Sequence, residues 1–263
     1  MKPFLKCIFP VITVLLTTCF MFAQTAEADL RQEVDEIRQN QETIQNDLSE
    51  IKALLLKLVT AQHAAPRTPQ QPPQVNIKGT TFDIGDNRVL GSESARVIIV
   101  EFTDYQCSFC GRYSRETFPH LREQYIEKGA IRYVVIDQPL PIHQEAAKAA
   151  EAAHCAGDQG KFWEMHEEMM AKQDALKDLF SYAKTLNLNV GEFEDCLNTG
   201  TYRSTVIKNM ELAKELGISG VPCFIIGTVD ESDSRRVTGI SLIRGAVPLV
   251  NFQQEIDAAL QHQ

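Results

Sequence analysis

Apolar side chains recur at alternating steps of four and three residues in the amino-terminal part of the chain. They are Leu30, Val34, Ile37, Ile44, Leu48, Ile51, Leu55 and Leu58, with polar Gln41 at the one remaining position of the stripe. A period of 3.5 residues is typical of a coiled coil, and we place this helix at residues 29–61. The alternative is an amphipathic helix that lies on its own domain. Leucine at heptad position a with isoleucine at position d favours three or four strands, so we expect a homo-oligomer, preferably a trimer, through residues 30–58.

A proline-rich segment follows this helix. Residues 62–74 read QHAAPRTPQQPPQ, with four prolines and no residue suited to a core. Such a composition predicts an extended, semi-rigid spacer. We assign the linker to residues 62–78 and a globular domain to residues 79–263.

Two runs of β-branched and apolar residues open the globular domain. VIIVEF at 97–102 and AIRYVVID at 130–137 are typical of buried strands. The sequence between them is compatible with a helix that ends near Lys128, and Pro119 should kink or divide it. The pattern therefore predicts an α/β domain built on a strand–helix–strand unit.

The first residues have the pattern of an export signal. Lys2 and Lys6 precede an apolar run to Phe22, and small residues follow at Ala26 and Ala28. We expect a signal peptide over residues 1–28 and a periplasmic protein. The alternatives are a membrane-anchoring helix and a lipoprotein attached at Cys19.

The charge of the chain excludes one class of partner. The formal net charge is −9, whereas a nucleic-acid-binding protein needs a basic face for phosphate contacts. We therefore expect no nucleic-acid partner.

The candidate chemistry lies at the start of the predicted helix. Cys107 and Cys110 are separated by two residues directly after the first strand. Because unpaired backbone N–H groups at a helix N-terminus favour negative charge, the pKa of Cys107 should fall below that of a free cysteine. Cys107 and Cys110 are thus expected to form a reactive dithiol that exchanges disulfides. The alternatives are half of a metal site and an inert disulfide, but the sequence has no second CxxC to complete a zinc site, so we expect no metal and no cofactor.

The order of these motifs resembles the DsbA-like branch of the thioredoxin superfamily, from about Val97 to Leu260. The resemblance is carried by EFTDYQCSFC, by PLPIHQEAAKAAEAAHCAGDQGKFWEMHEEMM at 139–170, by GISGVPCFIIG at 217–227 and by GAVPLVNFQQEIDAAL near the end. It implies a thioredoxin fold with an inserted helical subdomain, at about residues 143–216, preceded by the coiled-coil helix.

The resemblance also implies roles for single residues. Cys107 corresponds to the nucleophilic cysteine and Cys110 to the resolving cysteine. Glu101 corresponds to a buried carboxylate that handles protons, and burial would raise its pKa. Pro222 corresponds to a cis-proline, and Val221 before it would present backbone groups to an extended substrate.

Three cysteines remain in the globular domain. Cys155 and Cys196 both lie in the helical insert, and we favour a structural disulfide between them over two separate buried thiols. Cys223, directly after Pro222, is interpreted as a buried strand residue. The alternative is an extra thiol near the redox pair or a Cu(I) ligand.

These features predict an exported thiol–disulfide oxidoreductase. The chain resembles oligomeric, stalk-bearing DsbA-like proteins linked to copper tolerance, and several sites around a shared cleft favour a disulfide isomerase or reductase. The alternatives are a thiol oxidase and a non-enzymatic Cu(I)-binding protein. The expected partners are unfolded or misoxidised exported proteins and a membrane redox partner.

Overall fold

The computed structural model describes residues 35–54 and 75–261, in two compact units. The predicted signal peptide at 1–28, the alternative lipid site at Cys19, and the predicted coil and linker residues at 29–34 and 55–74 lie outside the described residues. Within the described part, no helix has the length and apolarity needed to cross a membrane.

Residues 35–54 form helix α1. Its apolar positions Ile37, Ile44, Leu48 and Ile51 are 53–63% exposed in the single chain. These are positions of the 3.5-residue stripe, so the helix presents an apolar face with a coiled-coil spacing. The coiled coil and its number of strands stay predictions.

The globular unit is built on a mixed sheet. Its strands are β1 (Thr81–Asp83), β2 (Val89–Gly91), β3 (Val97–Thr103), β4 (Ile131–Asp137), β5 (Cys223–Val229) and β6 (Arg236–Arg244), in the order β1-β6-β5-β3-β4-β2. Strands β3 and β4 are parallel and every other neighbouring pair is antiparallel. The two predicted strands therefore form the parallel pair at the centre of the sheet.

Alternation along β3 divides its side chains between two cores. Val97 and Ile99 face the larger core, while Ile98 and Val100 face a smaller core on the opposite side of the sheet. Because strand side chains alternate with a period of two, Glu101 faces the larger core. That core also contains both cysteines of the CxxC motif.

The helix after β3 is divided, as expected from Pro119. Helix α2 runs Ser108–Glu116 and α3 runs Phe118–Leu121, with Pro119 in its first turn. A π-helical turn over Arg122–Ile126 then leads towards β4. Proline is tolerated in a first helical turn because its missing N–H has no partner there in any case.

Five α-helices and a 3₁₀ turn at Gln173–Ala175 separate β4 from β5. The α-helices are α4 (Ala146–Gly157), α5 (Phe162–Ala171), α6 (Leu179–Thr185), α7 (Val190–Thr199) and α8 (Arg203–Glu215), and a final helix, α9 (Leu249–Gln261), follows β6. Cys155 on α4 and Cys196 on α7 are joined by a disulfide. This disulfide thus links two of the inserted helices, α4 and α7, covalently.

One boundary differs from the prediction. The linker was assigned to residues 62–78, but Ile77 is only 4% exposed and packs in the smaller core. The backbone there is also bonded to the sheet, because Gly79 N–H donates to the carbonyl of Gly239 at 2.8 Å. The globular unit therefore includes Ile77, since a buried apolar residue is stabilised by packing that a solvated spacer lacks.

Candidate active site

Both cysteines of the CxxC motif lie at the amino-terminal end of α2. Cys107 is the N-cap residue of the helix and is 7% exposed, whereas Cys110 lies one turn further and is fully buried. Both are free thiols in the structure. Cys107 is therefore the candidate nucleophile, because its sulfur lies nearer to the surface, and Cys110 lies behind it in the core.

The Cys107 sulfur is held as an anion. Its pKa is lowered to about 6, mainly by a hydrogen bond from the Cys110 thiol and further by the backbone N–H groups of Cys110 and Phe109. Partial burial and the Asp104 carboxylate oppose this shift. Since an ordinary cysteine has a pKa of about 8.5, Cys107 is mostly thiolate at neutral pH.

Cys110 has the opposite environment. Burial raises its pKa well above the ordinary range, and its hydrogen bond to Cys107 and the charge of Glu101 add to the effect. Cys110 therefore stays protonated, and its proton must leave before its sulfur can act as a nucleophile.

Glu101 is a buried acid whose negative charge acts on Cys110. It is 2% exposed and its pKa is raised to about 7, chiefly by burial. The Tyr133 hydroxyl donates to Glu101 Oε2 and lies 2.9 Å from the Tyr113 hydroxyl. A carboxyl group with a pKa near 7 can both accept and release a proton at physiological pH.

Asp104 was not identified from the sequence. Its Oδ1 accepts the N–H groups of Gln106 and Cys107, at 2.7 and 3.2 Å, and its Oδ2 accepts the Leu140 N–H at 2.7 Å. The same Oδ2 lies 2.8 Å from His143 Nδ1. One buried carboxylate thus fixes both the turn before Cys107 and the loop after β4. An aspartate three residues before a helix-capping position was the available signal.

Gln173 is a second residue that the sequence did not reveal. Its Nε2 donates to the carbonyls of Tyr105 and Cys107, at 2.8 and 2.9 Å. A Cβ at Gly111 would lie 2.2 Å from Gln173 Oε1, so a side chain on α2 at this position would have to displace the Gln173 amide. The helical insert therefore contacts the backbone of the active-site turn.

The proline loop faces the same sulfur. The Val221–Pro222 peptide bond is cis, and the Val221 carbonyl oxygen lies 3.8 Å from Cys107 Sγ. The structure thus brings together Cys107, Cys110, Glu101, Val221 and Pro222. It does not bring Cys155 and Cys196 to this site, because they form the disulfide in the insert.

Cys223 belongs to the opposite face of the sheet. It packs in the smaller core with Ile225, whereas its neighbour Phe224 packs in the larger core with the CxxC cysteines. Burial raises the pKa of Cys223 to about 11. Strand alternation therefore separates this thiol from the redox pair, in agreement with its interpretation as a buried strand residue.

The sequence is similar to that of several known proteins. A family profile described as Thioredoxin matches residues 83–241. A stretch of 143 residues, 53% of the chain, is 35% identical to Na(+)/H(+) antiporter NhaA 3 of Salinispora tropica and covers 21% of that protein. A stretch of 182 residues, 65% of the chain, is 30% identical to a Rickettsia prowazekii protein named "Putative protein-disulfide oxidoreductase" and covers 65% of it. The chain thus spans less than two thirds of the length of either relative.

Solved structures share the fold. The crystal structure of α-DsbA1 from Wolbachia pipientis superposes with a TM-score of 0.57 at 23% identity, over 68% of this chain and 92% of that chain. The α/β fold with inserted helices is therefore DsbA-like, as the sequence predicted. With the profile match over residues 83–241, this chain belongs to the thioredoxin family.

Proposed function

We propose that this protein is a thiol–disulfide oxidoreductase that acts on other proteins, with Cys107 as nucleophile and Cys110 as resolving cysteine. The observation that carries the proposal is the contrast within the pair. The pKa of Cys107 is lowered to about 6, while that of Cys110 is strongly raised. One sulfur is therefore ready to attack, and the other holds its proton until the second step.

In the reducing direction the reaction has two steps. The Cys107 thiolate attacks a disulfide of the client, the protein whose cysteines exchange, and forms a mixed disulfide while one client sulfur leaves as thiolate. Cys110 then loses its proton and attacks the Cys107 sulfur, which forms the Cys107–Cys110 disulfide and releases the second client thiolate. The oxidising direction is the reverse of these steps.

Glu101 is the proposed acceptor of the Cys110 proton. Its charge acts on Cys110, and its own pKa is raised to about 7. Glu101 and Cys110 are both buried, so solvent cannot readily take the proton of the Cys110 thiol. A carboxylate beside that thiol can accept the proton instead. Tyr133 would keep the carboxyl group oriented through its hydrogen bond to Oε2.

The client is proposed to bind along the proline loop. The Val221 carbonyl is 3.8 Å from Cys107 Sγ, so an extended segment linked to Cys107 comes to lie beside the Val221 backbone. Main-chain hydrogen bonds of this kind depend little on side chains. Such binding suits unfolded or misoxidised clients of varied sequence.

We favour the isomerase or reductase direction. The exposed apolar stripe of α1 supports an oligomer, preferably a trimer, and several linked sites raise the local concentration of thiolate around one client. The second candidate is an oxidase, favoured by the lowered pKa of Cys107, because a stabilised thiolate makes the disulfide form more oxidising. We also propose that the protein is exported to the periplasm. A membrane redox partner would restore the redox state of the dithiol there.

Refolding of ribonuclease separates these candidates. Scrambled and fully reduced ribonuclease are each incubated with the intact protein, with Cys107→Ser, and with a full-length Ile37→Lys Ile44→Lys variant. Recovery of the scrambled enzyme by the intact protein alone supports an isomerase that needs the oligomer. Recovery of the reduced enzyme by both the intact protein and the α1 variant supports an oxidase. No turnover with any form, together with stoichiometric Cu(I) uptake lost in Cys107→Ser, supports a copper-binding protein and contradicts the proposal.

A further inference from the structure

A threonine hydroxyl lies on the same face of β3 as the proposed proton acceptor. Strand side chains alternate with a period of two, so Thr103 faces the larger core, as Glu101 does. Its place in the sheet is fixed, because Thr103 is in register with Asp137 on β4 and its carbonyl accepts the Gln138 N–H at 2.8 Å. Thr103 is 1% exposed, so its hydroxyl is enclosed in the core.

This hydroxyl contributes little to the stability of the fold. Thr103 Oγ1 makes no hydrogen bond of ordinary length and angle with any residue that the structure describes. A buried hydroxyl without such a bond is destabilising, whereas valine has the same shape and no polar atom to desolvate. Buried polar groups of this kind are rare in proteins, and a catalytic role is one explanation for them.

The donor and the acceptor of the proposed proton transfer both interact with this hydroxyl. Thr103 makes weak side-chain hydrogen bonds to the Glu101 carboxyl and to the Cys110 thiol, and each opposes the rise in pKa that burial causes. A hydroxyl has one hydrogen to donate to a carboxylate and lone pairs that accept a proton from a thiol. Thr103 Oγ1 is therefore suited to connect the two groups.

The tyrosines beside Glu101 have a different role. The Tyr133 hydroxyl donates to Glu101 Oε2, and the Tyr113 hydroxyl lies 2.9 Å from that of Tyr133. Burial raises the pKa of both phenols well above the ordinary value, so both stay protonated. They hold the carboxyl group in place, while the contact of Thr103 extends to the Cys110 thiol.

We propose that the Thr103 hydroxyl relays the proton of Cys110 to Glu101 during the resolving step. This inference rests on the proposed function, in which Cys110 attacks the mixed disulfide. In that step the Cys110 sulfur bonds to the Cys107 sulfur, and the client sulfur leaves as thiolate. The Cys110 proton passes to Thr103 Oγ1 while the Thr103 hydroxyl proton passes to the Glu101 carboxylate. Thr103 ends as a neutral hydroxyl and Glu101 as a neutral carboxylic acid, so one proton has moved and no further reactant is needed.

Reaction with the aromatic disulfide dithiobis(nitrobenzoate) measures the two steps separately. Attack by Cys107 releases a first thionitrobenzoate at a rate that depends on reagent concentration, and attack by Cys110 on the adduct releases a second at a rate that does not. Stopped-flow absorbance follows both phases from about pH 5 to pH 9, across the range in which a carboxyl with a raised pKa ionises. The reduced full-length protein is compared with Thr103→Val, Thr103→Ser and Ser241→Ala. Release from Cys107→Ser Cys110→Ser is subtracted as the background of the other thiols.

Ser241→Ala is the matched control. Ser241 Oγ is another buried hydroxyl without an ordinary hydrogen bond inside the described part of the chain. It lies on β6 in register with Ile226, whose partner on β3 is Ile99, whereas Glu101 is in register with Phe224. Ser241 therefore belongs to another row of the sheet, and loss of its hydroxyl should leave both phases unchanged.

The expected result is a defect confined to the second phase. In the parent this phase should accelerate as the pH rises through about 7 and then level, because Glu101 must be ionised to accept the proton. In Thr103→Val it should be on the order of a hundredfold slower at neutral pH, the lower end of what positioned proton transfer contributes. Its rate should also keep rising with pH, since hydroxide must then remove the proton. Thr103→Ser should retain the plateau.

The first phase should be the same in Thr103→Val as in the parent. The pKa of Cys107 is lowered by the Cys110 thiol and by two backbone N–H groups, all of which the substitution keeps. Urea denaturation should show Thr103→Val to be at least as stable as the parent, because a buried hydroxyl without an ordinary bond is removed. A markedly less stable variant would assign the hydroxyl a structural role and contradict the proposal.

Two kinetic outcomes would also overturn the relay. A second phase in Thr103→Val with the rate and the plateau of the parent would show that the proton passes directly from Cys110 to Glu101. A slower second phase that keeps its pH profile and is not restored in Thr103→Ser would show an effect of packing alone.

Failure of the proposed function gives a different result. A first phase in the parent that is no faster than the reaction of an ordinary thiol would contradict the activated nucleophile, and the relay with it. A fast first phase with a second phase that is unchanged in Thr103→Val contradicts the relay alone.

Discussion

At the scale of single residues, the reactivity of Cys107 depends on a balance between groups that favour and oppose its negative charge. The Cys110 thiol and two backbone N–H groups lower its pKa, and the Asp104 carboxylate raises it. Asp104 also has a structural role, because it accepts the N–H groups of Leu140, Gln106 and Cys107. It is a positioning residue that limits how acidic the thiol becomes.

Asp104→Asn should therefore make Cys107 more acidic. We expect its pKa to fall from about 6 by about one unit, because a nearby negative charge is lost. The pH dependence of thiolate absorbance at 240 nm and of iodoacetamide reaction measures this. Asp137→Asn is the control, since Asp137 is equally buried but is bonded to His154 and Asn209 instead. If Asp104→Asn lowers the stability of the fold but leaves the Cys107 pKa unchanged, Asp104 has only a structural role.

Glu101 makes the fold sensitive to pH. Its folded-state pKa of about 7 lies above the ordinary value of 4.5, so ionisation costs more in the folded state than in the unfolded state. That penalty is absent below pH 4.5 and grows as the pH rises through 7. Glu101→Gln should therefore raise the free energy of unfolding by about 2–3 kcal/mol at pH 8 and change it little at pH 4.

Urea denaturation of the reduced protein at the two pH values checks this prediction. Glu151→Gln is the matched control, because Glu151 is also buried but is paired with Lys148 at 3.0 Å. That variant should lose stability at pH 8. An equal effect of Glu101→Gln at pH 4 and pH 8 would show that Glu101 does not titrate near neutrality in the folded protein.

At the scale of elements, local patterns predicted the centre of the domain and missed its periphery. VIIVEF, the CxxC motif and AIRYVVID are contiguous stretches, and they became β3, the start of α2, and β4. Strands β1 and β2 have three residues each, too short for a periodic signal. Asp104 and Gln173 were missed for another reason. Their partners, Leu140 and Tyr105, lie 36 and 68 residues away, and only the folded chain brings them together.

The helical insert has a prediction of its own. Its disulfide joins α4 and α7 across 41 residues of sequence, and in the chain-entropy model such a loop stabilises the folded state by about 4 kcal/mol. The double variant Cys155→Ala Cys196→Ala should lose stability of this order, measured by urea denaturation under oxidising conditions. The pKa of Cys107 should not change, because the disulfide lies outside the active site. A double variant as stable as the parent would show that the insert is held by packing alone.

At the scale of the whole molecule, the globular unit and helix α1 have different proposed roles. The globular unit carries the dithiol and the proline loop. Helix α1 carries a stripe of apolar residues that are 53–63% exposed in the single chain, at Ile37, Ile44, Leu48 and Ile51. The 3.5-residue period of the stripe was readable from the sequence, because it needs no tertiary partner to be seen. The partner of the stripe and the number of chains in the coil stay predictions, because they depend on contacts between chains.

Charge in the α1 stripe should separate the copies. Ile37 and Ile44 occupy d positions, where each side chain is buried among the others only in the assembled coil. Ile37→Lys Ile44→Lys places two lysines per chain in that interface, and unpaired buried charges are strongly destabilising. Sedimentation equilibrium of the full-length protein should give about three times the chain mass, and the variant should give the mass of one chain. Gln39→Lys Asn46→Lys adds the same charge at two exposed f positions on the outside of the coil and should leave the oligomer mass unchanged. A parent protein that sediments as a single chain would contradict the coiled coil, and it would remove the physical basis for preferring an isomerase over an oxidase.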